Sequence, residues 1–189
     1  MYQMKRSATL SLITIISGAY LLNLVYPEFY DYTALFRPFV DSGEYWRLFT
    51  VALVHGGLTH LFFNMFSLYF FADIVIHDLG IYSFLIIYTG SLLLGNLLSL
   101  YFHKEEYHYS AVGASGAVMG IIYSAILLQP GMSLYMFLIP IPIPAYLFGI
   151  GYLLYSIYGM KNSVGNIGHD AHFGGAIGGY VITLILASW

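Results

Sequence analysis

Residues 81–102 read Ile-Tyr-Ser-Phe-Leu-Ile-Ile-Tyr-Thr-Gly-Ser-Leu-Leu-Leu-Gly-Asn-Leu-Leu-Ser-Leu-Tyr-Phe, without one charged side chain. As a helix this stretch is long enough to cross the about 30 Å hydrocarbon core of a bilayer. The rest of the chain agrees with it. Of 189 residues, 59% are hydrophobic, 19% aromatic and only 8% charged, against about 25% charged in an ordinary soluble domain. Too few polar side chains remain to coat a globule in water, and disorder would need the opposite composition. The chain is therefore read as a single all-α membrane domain over residues 1–189.

Working outward from 81–102, five more apolar runs appear, giving expected spans at about 8–25, 58–76, 81–102, 115–128, 144–158 and 171–188. The first follows Lys5-Arg6, as a secretory signal peptide would. Its length and the lack of a small-x-small cleavage site before Tyr26-Pro27 favour a first transmembrane helix. Residues 26–54 break the apolar pattern with Glu28, Asp31, Asp41, Glu44, Pro27, Pro38 and Trp46-Arg47. They read as a long aromatic-rich loop lying on the membrane surface, where Trp and Tyr prefer to sit. The Ile-Pro-Ile-Pro-Ile-Pro run at 139–144 cannot lie inside a helix and is expected as an extended connector, with Pro144 starting the fifth span. Residues 159–170 read as a polar loop.

Net charge is −3, and no basic run exceeds Lys5-Arg6, so the positive stripe that nucleic acid requires is missing. The chain has no cysteine, which excludes disulfides, thiolate metal sites and a cysteine nucleophile. An even number of spans brings both ends to one side. Lys5-Arg6 argue for a cytoplasmic N-terminus, although Arg37, Arg47, Lys104 and Lys161 would then lie outside.

Polar residues inside spans are costly and mark candidate sites. His60 and Asn64, four apart at the start of the second span, share one helix face. Ser115 opens the fourth span within Gly113-Ala-Ser-Gly116, at a helix start whose free N–H groups favour negative charge. His172 opens the sixth, three residues before Gly175 on a Gly175/Gly179 face suited to close helix packing. Alone, each has a plainer reading: an interhelical clamp, glycine packing with a serine cap, a core histidine. Gly95-Asn96 reads as packing plus an interhelical bond, and Asp73 with His77 as a polar contact at the other end of the second span. The three groups coincide, however. Spans two, four and six start on the same side, and together they supply a nucleophile, a general base and oxyanion donors, the roles that acyl transfer needs. Asp170 is two residues from His172 and should point off its face, so a dyad is expected rather than a triad.

Four motifs resemble those of the rhomboid intramembrane serine proteases: Glu44-x-Trp46-Arg47, His55-x4-His60-x3-Asn64, Gly113-x-Ser115-Gly116 and Ala171-His172-x2-Gly175-x3-Gly179. The resemblance covers nearly the whole chain and implies a six-helix rhomboid-type bundle with a membrane-lying first loop. It implies Ser115 as nucleophile, His172 as base, and His60, Asn64 and the Ser115 N–H as the oxyanion hole. Trp46 and Arg47 would be structural residues of the first loop, and the fifth span and the 159–170 loop would resemble a gate and cap. Two positions depart from the family pattern. Ile76 stands where a Glu is frequent, and Met119 where a Tyr often stacks on the histidine; a methionine sulfur can still meet the imidazole.

What the resemblance implies is an endopeptidase acting on transmembrane protein substrates, with no cofactor and no metal. The plasma (inner) membrane is the expected location, and the cytoplasmic N-terminus read from Lys5-Arg6 turns the opening of the site outward. Two rivals remain: a histidine-based metal-binding protein or proton-coupled transporter built on His55, His60, His169 and His172, and a noncatalytic, chaperone-like relative.

Overall fold

A computed structural model describes residues 2–136, 139–162, 164–165 and 167–188. Nine α-helices dominate them: α1 (Tyr2–Val25), α2 (Glu28–Thr33), α3 (Arg37–Asp41), α4 (Arg47–Thr50), α5 (Leu58–Leu79), α6 (Ile81–Phe102), α7 (Ser115–Leu128), α8 (Ala145–Asn162) and α9 (His169–Ala187). Among the described residues, four stretches are long and apolar enough to cross a membrane, namely Ser7–Val25, Leu58–Leu79, Ile81–Phe102 and His169–Ala187, and Ser115–Leu128 is a shorter apolar helix. This is an integral membrane protein. Its outer faces carry exposed Leu21, Phe70, Ile86, Leu154 and Ile185, which only lipid can solvate well.

α7 is the central helix. Every residue from Gly116 to Ile126 is buried, as expected of a helix that is apolar all round. α9 lies against it and α6 by means of paired glycines. Gly175 and Gly179 meet the backbone of Gly116 and Gly120 on α7, while Gly174 meets Gly95 on α6, where an added Cβ would stand 3.0 Å from the Gly95 Cα. Between α7 and α9, Thr183 donates to Ser124, and Ser124 in turn reaches the Gly120 carbonyl. At Gly80 the backbone takes φ +85°, a conformation that glycine adopts without steric cost, and α5 turns directly into α6.

The surface loop expected over 26–54 contains more structure than its composition suggested. α2, α3, α4 and a 3₁₀ turn at Val51–Leu53 fold it into a compact platform. Arg47 holds it together: 2% exposed, it pairs with Glu44 at 2.6 Å and donates to the carbonyls of Asp31 and Ala34 at 2.6 and 2.9 Å. Buried carbonyls need such partners. Trp46 donates to Tyr32 O. Asn96 of α6 donates to Leu48 O at 2.8 Å, so its bond ties a helix to the platform rather than to another spanning helix. β1 (Leu35–Phe36) pairs with β2 (Ser110–Ala111), joining the platform to the connector before α7.

Other boundaries also shift. α5 continues three residues past Ile76, which sits fully buried in the core. The prolines of 139–144 do form an extended segment, β4 (Ile139–Pro144), but it pairs in a hairpin with β3 (Ser133–Met136), and α8 begins one residue after Pro144. The loop expected over 159–170 is shorter, because α8 runs to Asn162 and α9 starts at His169; Ser163 and Asn166 lie outside the described residues. Asp73 and His77 do not make one shared contact. Asp73 accepts from Thr9 of α1, and His77 pairs with Asp78.

Candidate active site

The starts of α5, α7 and α9 come together at the platform end of the bundle. Gly113 has φ +113° and donates its N–H to Val51 O of the platform. The ring of His60 lies so close that a Cβ on Gly113 would meet its Cε1 at 2.5 Å. Two residues later the chain enters α7 at Ser115, half-buried, with Ala114 before it. Across from it, the glycine contact between α7 and α9 brings His172 within reach. Nε2 of His172 stands 2.7 Å from Ser115 Oγ, hydrogen-bond distance for an oxygen and a ring nitrogen.

The other expected residues are placed as follows. Asn64, 5% exposed, donates one amide hydrogen to the His60 carbonyl one turn earlier; its second N–H is free of that bond. His60 also meets His55, ring centroids 5.0 Å apart. His55 lies before α5 and is 3% exposed; burial, with the imidazole of His60 beside it, pushes its pKa down to about 4. Asp170 turns away from His172. Its carboxylate accepts from Ser99 Oγ at 2.5 Å and stands 3.2 Å from His103 Nε2. Tyr109 bonds the same Ser99 oxygen, and burial, with Asp170 close by, raises the Tyr109 phenol to about 12.

One residue of the site had no signal in the sequence. Tyr152 of α8 brings its hydroxyl to 2.7 Å from Nδ1 of His172, with the rings tilted at 32°. It is one of 19 tyrosines, in a helix without motif spacing to single it out. Met119, expected near the imidazole, is buried on α7 one turn after Ser115.

The histidines do not gather. His55 and His60 pair beside Gly113, His172 is engaged by Ser115 and Tyr152, and His169 faces Val164 O and the ring of Tyr155. Among the described residues, no three His, Asp or Glu side chains converge as a metal ion would require.

A rhomboid domain family model matches residues 42–189, from the platform through α9. The chain belongs to the rhomboid family. Similar proteins include "Putative rhomboid protease YdcA" of Bacillus subtilis, 44% identical over 82 residues, covering 43% of this chain and 40% of that protein. Rhomboid protease GluP of Bacillus subtilis is 33% identical over 143 residues, 75% of this chain and 26% of its own length. RHOMBOID-like protein 12, mitochondrial, of Arabidopsis thaliana is 31% identical over 150 residues, covering 71% of this chain and 44% of itself. The chain thus spans less than half the length of these rhomboid relatives.

Proposed function

We propose that the chain is an intramembrane serine endopeptidase that hydrolyses peptide bonds in or near the transmembrane segments of other membrane proteins. The 2.7 Å approach of His172 Nε2 to Ser115 Oγ carries this reading. A serine hydroxyl is a weak nucleophile until an adjacent base removes its proton. His172 takes that proton as Oγ attacks the substrate carbonyl. The backbone N–H of Ser115, free at the start of α7, and the side chains of Asn64 and His60 stabilise the oxyanion. The proton then passes from Nε2 to the leaving amine, and water hydrolyses the acyl-enzyme by the same route.

In this reading α1 and α5 to α9 are the six spans, and α5, α7, α8 and α9 carry the site. α7 has 14 residues, about 21 Å of helix, so it falls roughly 9 Å short of the hydrocarbon core. With its far end at one boundary, Ser115 starts below the other, in a pocket that water enters from the platform side. Substrate helices must unwind there, because helical carbonyls are already bonded. Cleavage near Gly, Pro or polar residues, after a small side chain, follows from that need and from the family resemblance. The chain sits in the plasma membrane with Lys5-Arg6 cytoplasmic and the platform outside.

The test is cleavage of a transmembrane reporter carrying a Gly-Pro kink by the protein in liposomes. Wild type should cut it and Ser115→Ala should not; undiminished cleavage by Ser115→Ala would refute the assignment.

A further inference from the structure

The imidazole of His172 is engaged at both nitrogens. Nε2 faces Ser115 Oγ and Nδ1 faces Tyr152 Oη, each at 2.7 Å. A neutral imidazole carries one proton, and the hydrogen bond at one nitrogen sets which nitrogen holds it. To accept the Ser115 proton, Nε2 must be bare at rest, so Nδ1 carries the hydrogen and points it at Tyr152. We infer that Tyr152 is a positioning residue for His172: its phenol oxygen accepts the Nδ1–H bond, selects the tautomer that leaves Nε2 free, and aims the ring at Ser115. The inference deepens the proteolytic reading above and rests on it.

Two further features support this role. The group that could have served instead is spent elsewhere, since the Asp170 carboxylate is taken by Ser99 and His103. Tyr152 is also held in place. One turn earlier on α8, Tyr123 of α7 donates to the Gly149 carbonyl at 2.6 Å, which ties α8 to the helix that carries Ser115. The Tyr152 ring stacks on Phe148, centroids 5.9 Å apart, and meets Tyr155 at its edge.

A phenol does this work differently from a carboxylate. It can donate as well as accept, and donation to Nδ1 would select the opposite tautomer, with Nε2–H facing Ser115. Tyr152 therefore favours the reactive tautomer less firmly than an acid would. When His172 becomes imidazolium, Tyr152 stabilises it by a dipole alone. Proton balance is simple: the Ser115 hydrogen moves to Nε2 and on to the leaving amine, and Tyr152 keeps its own throughout. The titratable groups around His172 are His60 from α5, Tyr152 from α8, and His169 and Asp170 on its own helix, while α7 contributes the neutral Ser115.

The experiment uses the full chain in lipid bicelles with ¹⁵N-labelled histidine, as wild type, Tyr152→Phe and Ser115→Ala. Nitrogen NMR at neutral pH should show His172 protonated at Nδ1 in wild type and shifted towards Nε2–H in Tyr152→Phe. A wild-type spectrum with Nε2–H, or an unchanged tautomer in Tyr152→Phe, overturns the inference. The rate of Ser115 labelling by a fluorophosphonate should fall about 10–100-fold in Tyr152→Phe, the loss typical when the partner that orients a metal-ligating histidine through its other ring nitrogen is removed. The acid limb of its pH profile should move to lower pH, because the imidazolium has lost an acceptor. A fall in rate with an unmoved limb would mark a merely structural tyrosine and also overturn the assignment. Should wild type itself resist labelling, the proteolytic reading fails, and the tautomer measurement still decides the role of Tyr152.

Discussion

Gly175 of α9 lies directly on the backbone of Gly116 of α7, leaving no room for a Cβ at position 175. Gly116 follows Ser115, and Gly175 stands one turn beyond His172 on the same face. The helix contact therefore sets the distance between hydroxyl and imidazole. The obstructing atoms are backbone, so no rotamer change relieves them. Gly175→Ala should destabilise the protein by about 1–3 kcal/mol, the usual cost of overpacking, and should also slow Ser115 labelling in the fraction that folds. Thermal unfolding in detergent, with labelling measured on the same samples, checks both. Unchanged labelling in Gly175→Ala would detach the packing from the chemistry.

In the proposed mechanism Asn64 serves the oxyanion rather than the dyad, and the two roles differ in magnitude. Loss of one oxyanion donor typically costs about 10²–10³ in rate. Asn64→Ala should therefore retain slow, measurable reporter cleavage where Ser115→Ala retains none. A turnover rate equal to wild type would remove Asn64 from the mechanism.

Asp170 provides the converse case. Converting the acid of a true triad to its amide costs about 10⁴-fold, but this carboxylate serves Ser99 and His103. Asp170→Asn should lose far less turnover than that and should show its effect as lower stability of the α6–α9 contact. Turnover falling as in a triad would mean that Asp170 reaches His172 during the reaction.

His55 predicts how stability depends on pH. Burial and the neighbouring His60 hold its pKa near 4 in the folded chain, against about 6.5 when unfolded. Between those values the unfolded chain binds the extra proton, so folding stability falls as pH drops from about 6.5 towards 4 and this contribution levels off below. The slope in that window reaches at most about 1.4 kcal/mol per pH unit. His55→Gln should flatten it, as read from thermal unfolding across the pH range. Identical slopes in the two proteins would show that His55 is not the titrating group.

Sequence and structure agree best where the constraint is local and periodic. Ser115 at a helix start, the His60/Asn64 spacing and the Gly175/Gly179 face follow from helix geometry, and α7, α5 and α9 respectively carry them. The glycine doublets hold more than one face, however. Gly174 packs on Gly95 of α6 while Gly175 packs on α7, so α9 is wedged between two helices. The platform helices were hidden because their stability comes from Arg47 reaching carbonyls 13 and 16 residues away, not from their own short sequences. Tyr152 was hidden for a related reason. Its partner is 20 residues away on another helix, and only the packing of α8 brings them together.

The central claim is that His172 activates the Ser115 hydroxyl. Mass spectrometry of the membrane-reconstituted protein after fluorophosphonate treatment tests it most directly. One adduct on Ser115 in wild type is predicted, with none in Ser115→Ala and strongly slowed addition in His172→Ala. An adduct that persists in Ser115→Ala, or forms at the wild-type rate in His172→Ala, would contradict the account.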